Sequence, residues 1–294
     1  MAISKQTLIE TLKSVSKDWS EWMNFKKYPI QERQSPAYDA LVAKCQADMK
    51  RVGACELPDF VTLKALEFLQ AESVFLESDA FFKPVVANAY LKPGDDSLPG
   101  DHPLNLTEPT RVGVVAYDQF PEISLLKQIY EYQPLMRFVG DILDLKDIYL
   151  YGDSMGGLNL SVMQTNDYLR WHFDQTDFVT SLAIQSAESG GNFEYVPMIR
   201  SHEHENYTDV KRVLDGDRSR VIHLANTPGT LVLFQGRYSI HRVTPIVGAR
   251  PRWIGLFGFD SKEHVESTPH LREMRYGRQS VLKTRPKFED LKPS

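Results

Sequence analysis

His172 and Asp174, in the run RWHFDQTDF, are the residues whose types and spacing most directly suggest chemistry. Two apart in an extended segment, they send their side chains from the same face of a sheet and can converge on one ion. A histidine and a carboxylate at that spacing are two-thirds of the facial triad that holds non-haem Fe(II) and leaves positions open for substrate and dioxygen. A distant histidine must complete the set. His241, in GRYSIHRVTP, lies in a later strand-like run and suits that role. Downstream, GARPRWIGLFGF opens a last strand with Arg250 and Arg252. One guanidinium there can hold the far carboxylate of a dicarboxylate cosubstrate through two parallel hydrogen bonds. Arg252 is the better placed, because it opens the apolar run and alternation can aim it inward. Ile254 and Leu256 share its face, so they would form an apolar floor beside the cosubstrate, suited to an aliphatic substrate.

Two rival motifs carry less. YLYGDSMGGLNL contains G-x-S-x-G, the pattern of a hydrolase nucleophile elbow with Ser154 as nucleophile. That mechanism needs a helix directly behind the serine, and the residues that follow, LNLSV, alternate as a strand. GDSMGG therefore reads as a glycine-rich loop feeding a strand. The SHEHE run, with His202 and His204, is polar throughout, has no third partner nearby, and reads as a solvated loop.

The elements that must position these residues fall into two halves. Residues 1–146 read mainly as helix: PAYDALVAKCQADM has apolar residues at helical spacing, and LPDFVTLKALEFLQAESVFL starts a helix near Pro58 and Asp59. Pro134 separates two further helical pieces between 121 and 144, and PVVANAYL and RVGVVAYDQF are short extended runs. Residues 147–260 change character. Eight short runs rich in Val, Ile, Leu, Phe and Tyr alternate with turn residues, which suggests a sandwich or jelly roll and an α+β chain with helices buttressing one sheet face. The basic tail, 261–294, reads as a surface-lying arm, and the whole as one catalytic domain.

Composition sets the outer bounds. A hydrophobic fraction of 42% and a charged fraction of 25% in 294 residues are those of a folded globular protein. The formal charge of -5 lacks the electrostatic footprint of a general nucleic-acid binder. Cys45 and Cys55, the two cysteines, are too few for a disulfide framework and read as reduced thiols. No signal-peptide core opens the chain and no apolar run reaches the ~18 residues of a membrane span, so a cytoplasmic setting is expected.

From about residue 147 to 260 the sequence resembles the Fe(II)/2-oxoglutarate-dependent oxygenases, and within them a branch acting on free amino acids that includes hydroxylases, radical halogenases and aziridine-forming enzymes. The resemblance rests on LNLSVM, WHFDQTDFVTSLAIQ, GGNFEYVP and PGTLVLFQGRYSIHRVTPIVGARPR. It implies a double-stranded β-helix, Fe(II) held by His172, Asp174 and His241, and 2-oxoglutarate and O2 as cosubstrates. It also implies a part for Thr180, beside Arg252 or Arg250, in binding the oxoglutarate carboxylate. The halogenases of this branch replace the carboxylate ligand with a small residue, and this chain keeps Asp174. The resemblance therefore points to hydroxylation or oxidative cyclisation of a small amino acid or related metabolite. An oxygenase acting on a protein side chain, and a cupin-like binding protein with a structural metal, are the competing readings. Oligomeric state is not legible.

Overall fold

Capping and turn chemistry set the helix boundaries. The computed structural model describes residues 3–15 and 18–293. Its helices are α1 (Lys5–Leu12), α2 (Pro36–Val52), α3 (Leu63–Leu76), α4 (Leu125–Tyr130), α5 (Gln133–Ile142), α6 (Tyr207–Leu214) and α7 (Pro269–Tyr276). Ser35 caps α2 by accepting a hydrogen bond from the Tyr38 amide at 3.1 Å, and Gly53, at φ 68°, ends it in the left-handed conformation and turns the chain into a strand. The third helix begins later than Pro58 and Asp59 suggested. Asp59 sits at φ 57°, which a helix cannot pass through, and the Thr62 hydroxyl caps α3 through the Ala65 amide. Pro134 falls in the first turn of α5, where its missing N–H is harmless, so it starts that helix as well as separating it from α4.

The strands are β1 (Ala54–Leu57), β2 (Phe81–Phe82), β3 (Val85–Ala87), β4 (Glu108–Thr110), β5 (Gly113–Val115), β6 (Tyr149–Leu150), β7 (Leu158–Met163), β8 (Leu169–His172), β9 (Val179–Gln185), β10 (Ser189–Gly190), β11 (Phe193–Val196), β12 (Ile222–Leu224), β13 (Leu231–Phe234), β14 (Ile240–Val243), β15 (Ile246–Val247), β16 (Arg252–Phe257) and β17 (Phe259–Asp260). They form a seven-stranded sheet in the order β1-β13-β9-β16-β7-β5-β2 and a four-stranded sheet in the order β12-β11-β14-β8, with every pairing antiparallel. This is the α+β, double-stranded β-helix architecture.

Alternation divides the large sheet into two faces. Trp253 and Phe257 of β16 join Leu158, Leu160 and Val162 of β7, Leu182 and Ile184 of β9, and Leu231 and Leu233 of β13 in the main core. Leu8, Leu69, Ile129 and Phe138 from α1, α3, α4 and α5 close that core from the helical side. Each such side chain stabilises the packing by roughly 1.5–3 kcal/mol. Arg252, Ile254 and Leu256 leave the opposite face of β16, together with Met163, Ser161 and Asn159 across the β7 register. That second face turns towards the four-stranded sheet.

The tail is more than a surface-lying arm. Arg272 on α7 pairs with the fully buried Asp153 at 3.1 Å, Tyr276 donates to Asn159 Oδ1 at 3.2 Å, and Arg278 grips both oxygens of Asp118. Phe288 and Leu291 are buried in the core, and Lys5 donates to the carbonyls of Glu289 and Leu291. Basic residues of the tail are thus drawn onto buried acids. Among the described residues no helix is long and apolar enough to cross a membrane.

Candidate metal centre

The four-stranded sheet delivers both histidines. In the antiparallel register of β8 and β14, His172 lies directly opposite His241, and their rings stand 4.1 Å apart. Asp174 follows β8 by two residues, and its amide donates to the Gly236 carbonyl at 3.0 Å, which ties the segment to the turn before β14. One donor atom from each of His172, Asp174 and His241 lies within 4.8 Å of the other two. His172 Nε2 is 3.8 Å and His241 Nε2 is 3.5 Å from Asp174 Oδ1.

Tautomer follows from the backbone. His172 Nδ1 lies 2.9 Å from the Arg170 carbonyl and His241 Nδ1 lies 3.0 Å from the Ser239 carbonyl. A carbonyl only accepts, so each Nδ1 carries the proton and each neutral ring keeps its Nε2 lone pair for a metal. Burial, then the neighbouring His241 ring, push the His172 base down to about 3, with Asp174 opposing and the Arg170 charge adding a smaller push in the same direction. Burial would raise the Asp174 carboxyl, but the electrostatic pull and hydrogen bond of His241, with a smaller pull from His172, outweigh it and hold it below the usual carboxylate range. Neutral imidazoles beside an ionised carboxylate are the donor set that a divalent cation needs. Phe193 stacks on the His241 ring with centroids 5.4 Å apart and Phe234 meets it edge-on at 4.9 Å, so the ring is held by packing as well.

The residues proposed for the cosubstrate separate. Arg252 is buried on the inner face of β16. Its one polar contact among the described residues is Nη1 to the Met163 thioether at 3.9 Å, and burial pulls its pKa down to about 10. A charged guanidinium without a carboxylate is costly to bury, and a ligand carboxylate would satisfy it. Arg250 is not brought there: it is exposed, and it donates to the Ala187 carbonyl. Nor is Thr180. It lies opposite Phe257 in register and on the same face as Leu182 and Ile184, which directs it to the helical core and away from Arg252. Ile254, buried, and Leu256, partly buried, do share the face of Arg252. Ser154 is exposed on a turn organised by Asp153, whose Oδ1 accepts from the Met155 and Gly156 amides, and β7 follows it where a hydrolase needs a helix. His202 and His204 are exposed and belong to no metal-holding group among the described residues.

Two glycines that the motifs did not single out shape the site. A Cβ on Gly236 would lie 1.7 Å from Asp174 Oδ2, so only glycine lets the carboxylate reach its place. A Cβ on Gly191 would stand 3.1 Å from Arg252 Cδ and 2.8 Å from Ile246 Cδ1. The G-R after β13 and the G-G before β11 were the available signals.

The sequence model of the family described as HalD, Halogenase D, matches residues 103–276, more than half of the chain. Comparison with curated protein sequences gave no match. Among solved structures the chain is similar to the non-haem α-ketoglutarate-dependent epimerase SnoN from nogalamycin biosynthesis, at 12% identity over 76% of this chain and 83% of that one, with a TM-score of 0.53. It is similar to the non-haem α-ketoglutarate-dependent carbocyclase SnoK of the same biosynthesis at 13% identity, over 78% of this chain and 85% of that one, with a TM-score of 0.52. For AviO1 from Streptomyces viridochromogenes Tue57 the identity is 14%, the coverage 74% and 93%, and the TM-score 0.50. At these identities the likeness is one of fold.

Proposed function

We propose a function from one premise: this chain belongs to the Halogenase D (HalD) family. It is a non-haem Fe(II)/2-oxoglutarate-dependent oxygenase that acts on a small molecule, and its substrate is an aliphatic amino acid or a close relative. The convergence of His172, Asp174 and His241 on one point is the observation that carries this reading. His172 and His241 offer Nε2 to the iron, and Asp174 offers the charge that balances it. Arg252 takes the far carboxylate of 2-oxoglutarate, in a buried place where no protein carboxylate competes among the described residues. Ile254 and Leu256 line the apolar side of the substrate space. Fe(II), 2-oxoglutarate and O2 together supply the oxidising power, with 2-oxoglutarate converted to succinate and CO2 and a hydrogen removed from the substrate.

Asp174 supports a reaction other than halogenation despite the family's name. Its carboxylate would supply one ligand to the iron, and its negative charge would disfavour a halide beside it. Hydroxylation or oxidative ring closure is therefore the reaction, with no halogen transfer. The test is an aerobic incubation with Fe(II), 2-oxoglutarate, chloride and single aliphatic amino acids, following succinate and the mass of the product. The reading predicts succinate release stimulated by at least one of them, and a product that has gained one oxygen or lost two hydrogens. A chlorinated product would contradict the role given to Asp174.

A further inference from the structure

Arg170 is a buried arginine that the catalytic scheme above does not use. It lies on β8 two residues before His172, with 4% of its surface exposed, and its own carbonyl holds the His172 ring at 2.9 Å. Its backbone is fixed, because the amide donates to Thr110 Oγ1 at 3.2 Å. Its guanidinium is not. Nε and Nη1 are buried with no hydrogen-bond partner, and among the described residues no carboxylate comes within ion-pair distance of it. Glu108, exposed on β4, attracts it only from a distance. Water can satisfy N–H groups but cannot neutralise a buried charge, so a guanidinium with no carboxylate partner, whose charge is felt by the His172 ring, is costly to bury unless an anion arrives.

We propose that Arg170 binds the carboxylate of the substrate, and so selects small carboxylate-bearing molecules. This rests on the oxygenase reading, in which Arg252 is already committed to 2-oxoglutarate. A carboxylate fits better than a phosphate: one guanidinium matches one negative charge and a planar two-oxygen acceptor, while a phosphate would bring up to two charges to a single cation. The arginine gives the small molecule a fixed end, and the rest of it extends over the face of Ile254 and Leu256.

The experiment uses the full chain loaded anaerobically with Fe(II) and 2-oxoglutarate, in wild type, Arg170→Gln, Arg170→Lys and Arg252→Met. Each protein is offered valine, leucine and isoleucine and, in parallel, the amide of each. The charge-transfer absorption of the chelate is recorded before air is admitted and succinate release after. In wild type at least one acid, and not its amide, should perturb the absorption and stimulate succinate release. Arg170→Gln should keep the starting absorption and raise the KM for that acid by about tenfold to a hundredfold, the range expected for a charge-assisted hydrogen bond. Arg170→Lys should recover part of the loss, which a merely structural role would not produce.

Equal response to acid and amide, an unchanged KM in Arg170→Gln, or silence towards every acid in wild type would overturn the proposal. Loss of the starting absorption in Arg170→Gln would overturn it too, by assigning Arg170 to the cosubstrate or the metal. Absence of that absorption in wild type would instead defeat the oxygenase reading itself.

Discussion

At the scale of single residues, the chemistry rests on what is allowed next to Asp174. Because a Cβ at position 236 would overlap its carboxylate, Gly236→Ala should displace Asp174 and weaken Fe(II) binding by roughly tenfold to a hundredfold, with far-ultraviolet circular dichroism unchanged. Calorimetric titration of the apo-protein with Fe(II) under nitrogen measures it, and an unaltered affinity would show that the carboxylate does not contribute. The histidine and aspartate two apart were legible because adjacency in sequence is adjacency in space. Gly236 was not, since its role lies in what a missing side chain would strike. Arg170 was hidden for a related reason: an arginine in a short extended run says nothing until its burial and its lack of a partner are known. The role of Thr180 came from the family resemblance and not from the pattern of FVTSLAIQ, which does not say which of its faces meets the helices. Only pairing with Phe257 reveals which face meets the helices.

At the scale of elements, α3 and α4 are joined by a buried acid. Glu72 on α3 is fully buried and accepts hydrogen bonds from the Leu125 and Leu126 amides at 2.8 and 2.9 Å, at the start of α4. Burial nevertheless pushes its carboxyl up to about 7, against the lowering effect of those amides. Between the unfolded value near 4.5 and the folded value near 7 the native state holds more protons than the unfolded state. This group therefore makes stability fall as pH rises through that window, by about 3 kcal/mol in all, and the penalty is complete above pH of about 7. Urea denaturation of wild type and Glu72→Gln at acid and neutral pH should show the wild type losing more stability on going to neutral, and parallel curves would rule this out. Helix existence was readable from apolar spacing, but boundaries moved where a single residue overrode it, as Asp59 does before α3. β8 was not among the eight apolar runs because LRWH is short and only half apolar, although the spacing of His172 and Asp174 pointed to an extended segment there, and β1 was missed because it follows α2 with a one-residue turn.

At the scale of the whole molecule, the C-terminal arm is a strap across the fold. Arg272→Ala would leave Asp153 fully buried without its cation, and should cost about 2–4 kcal/mol of unfolding free energy in urea, somewhat softened by the three amides that Asp153 also accepts from. A change below about 0.5 kcal/mol, the level of an exposed pair, would mean that the strap is only laid on the surface. The class of fold was visible in the eight strand-like runs, since a jelly roll is written in many short strands and turns. Strand order was not, because the pairing of β1 with β13 or β16 with β7 joins segments far apart in sequence and no local pattern encodes it. The central claim is that this barrel holds iron through His172, Asp174 and His241 and 2-oxoglutarate through Arg252. Its most direct test is anaerobic titration of the apo-protein with Fe(II) and 2-oxoglutarate, watching the visible charge-transfer absorption of the chelate. The account predicts absorption in wild type, none in His172→Ala, and in Arg252→Met iron binding with the chelate weakened by tenfold or more, roughly the loss of one charge-assisted pair. Iron binding without that absorption in wild type would contradict it.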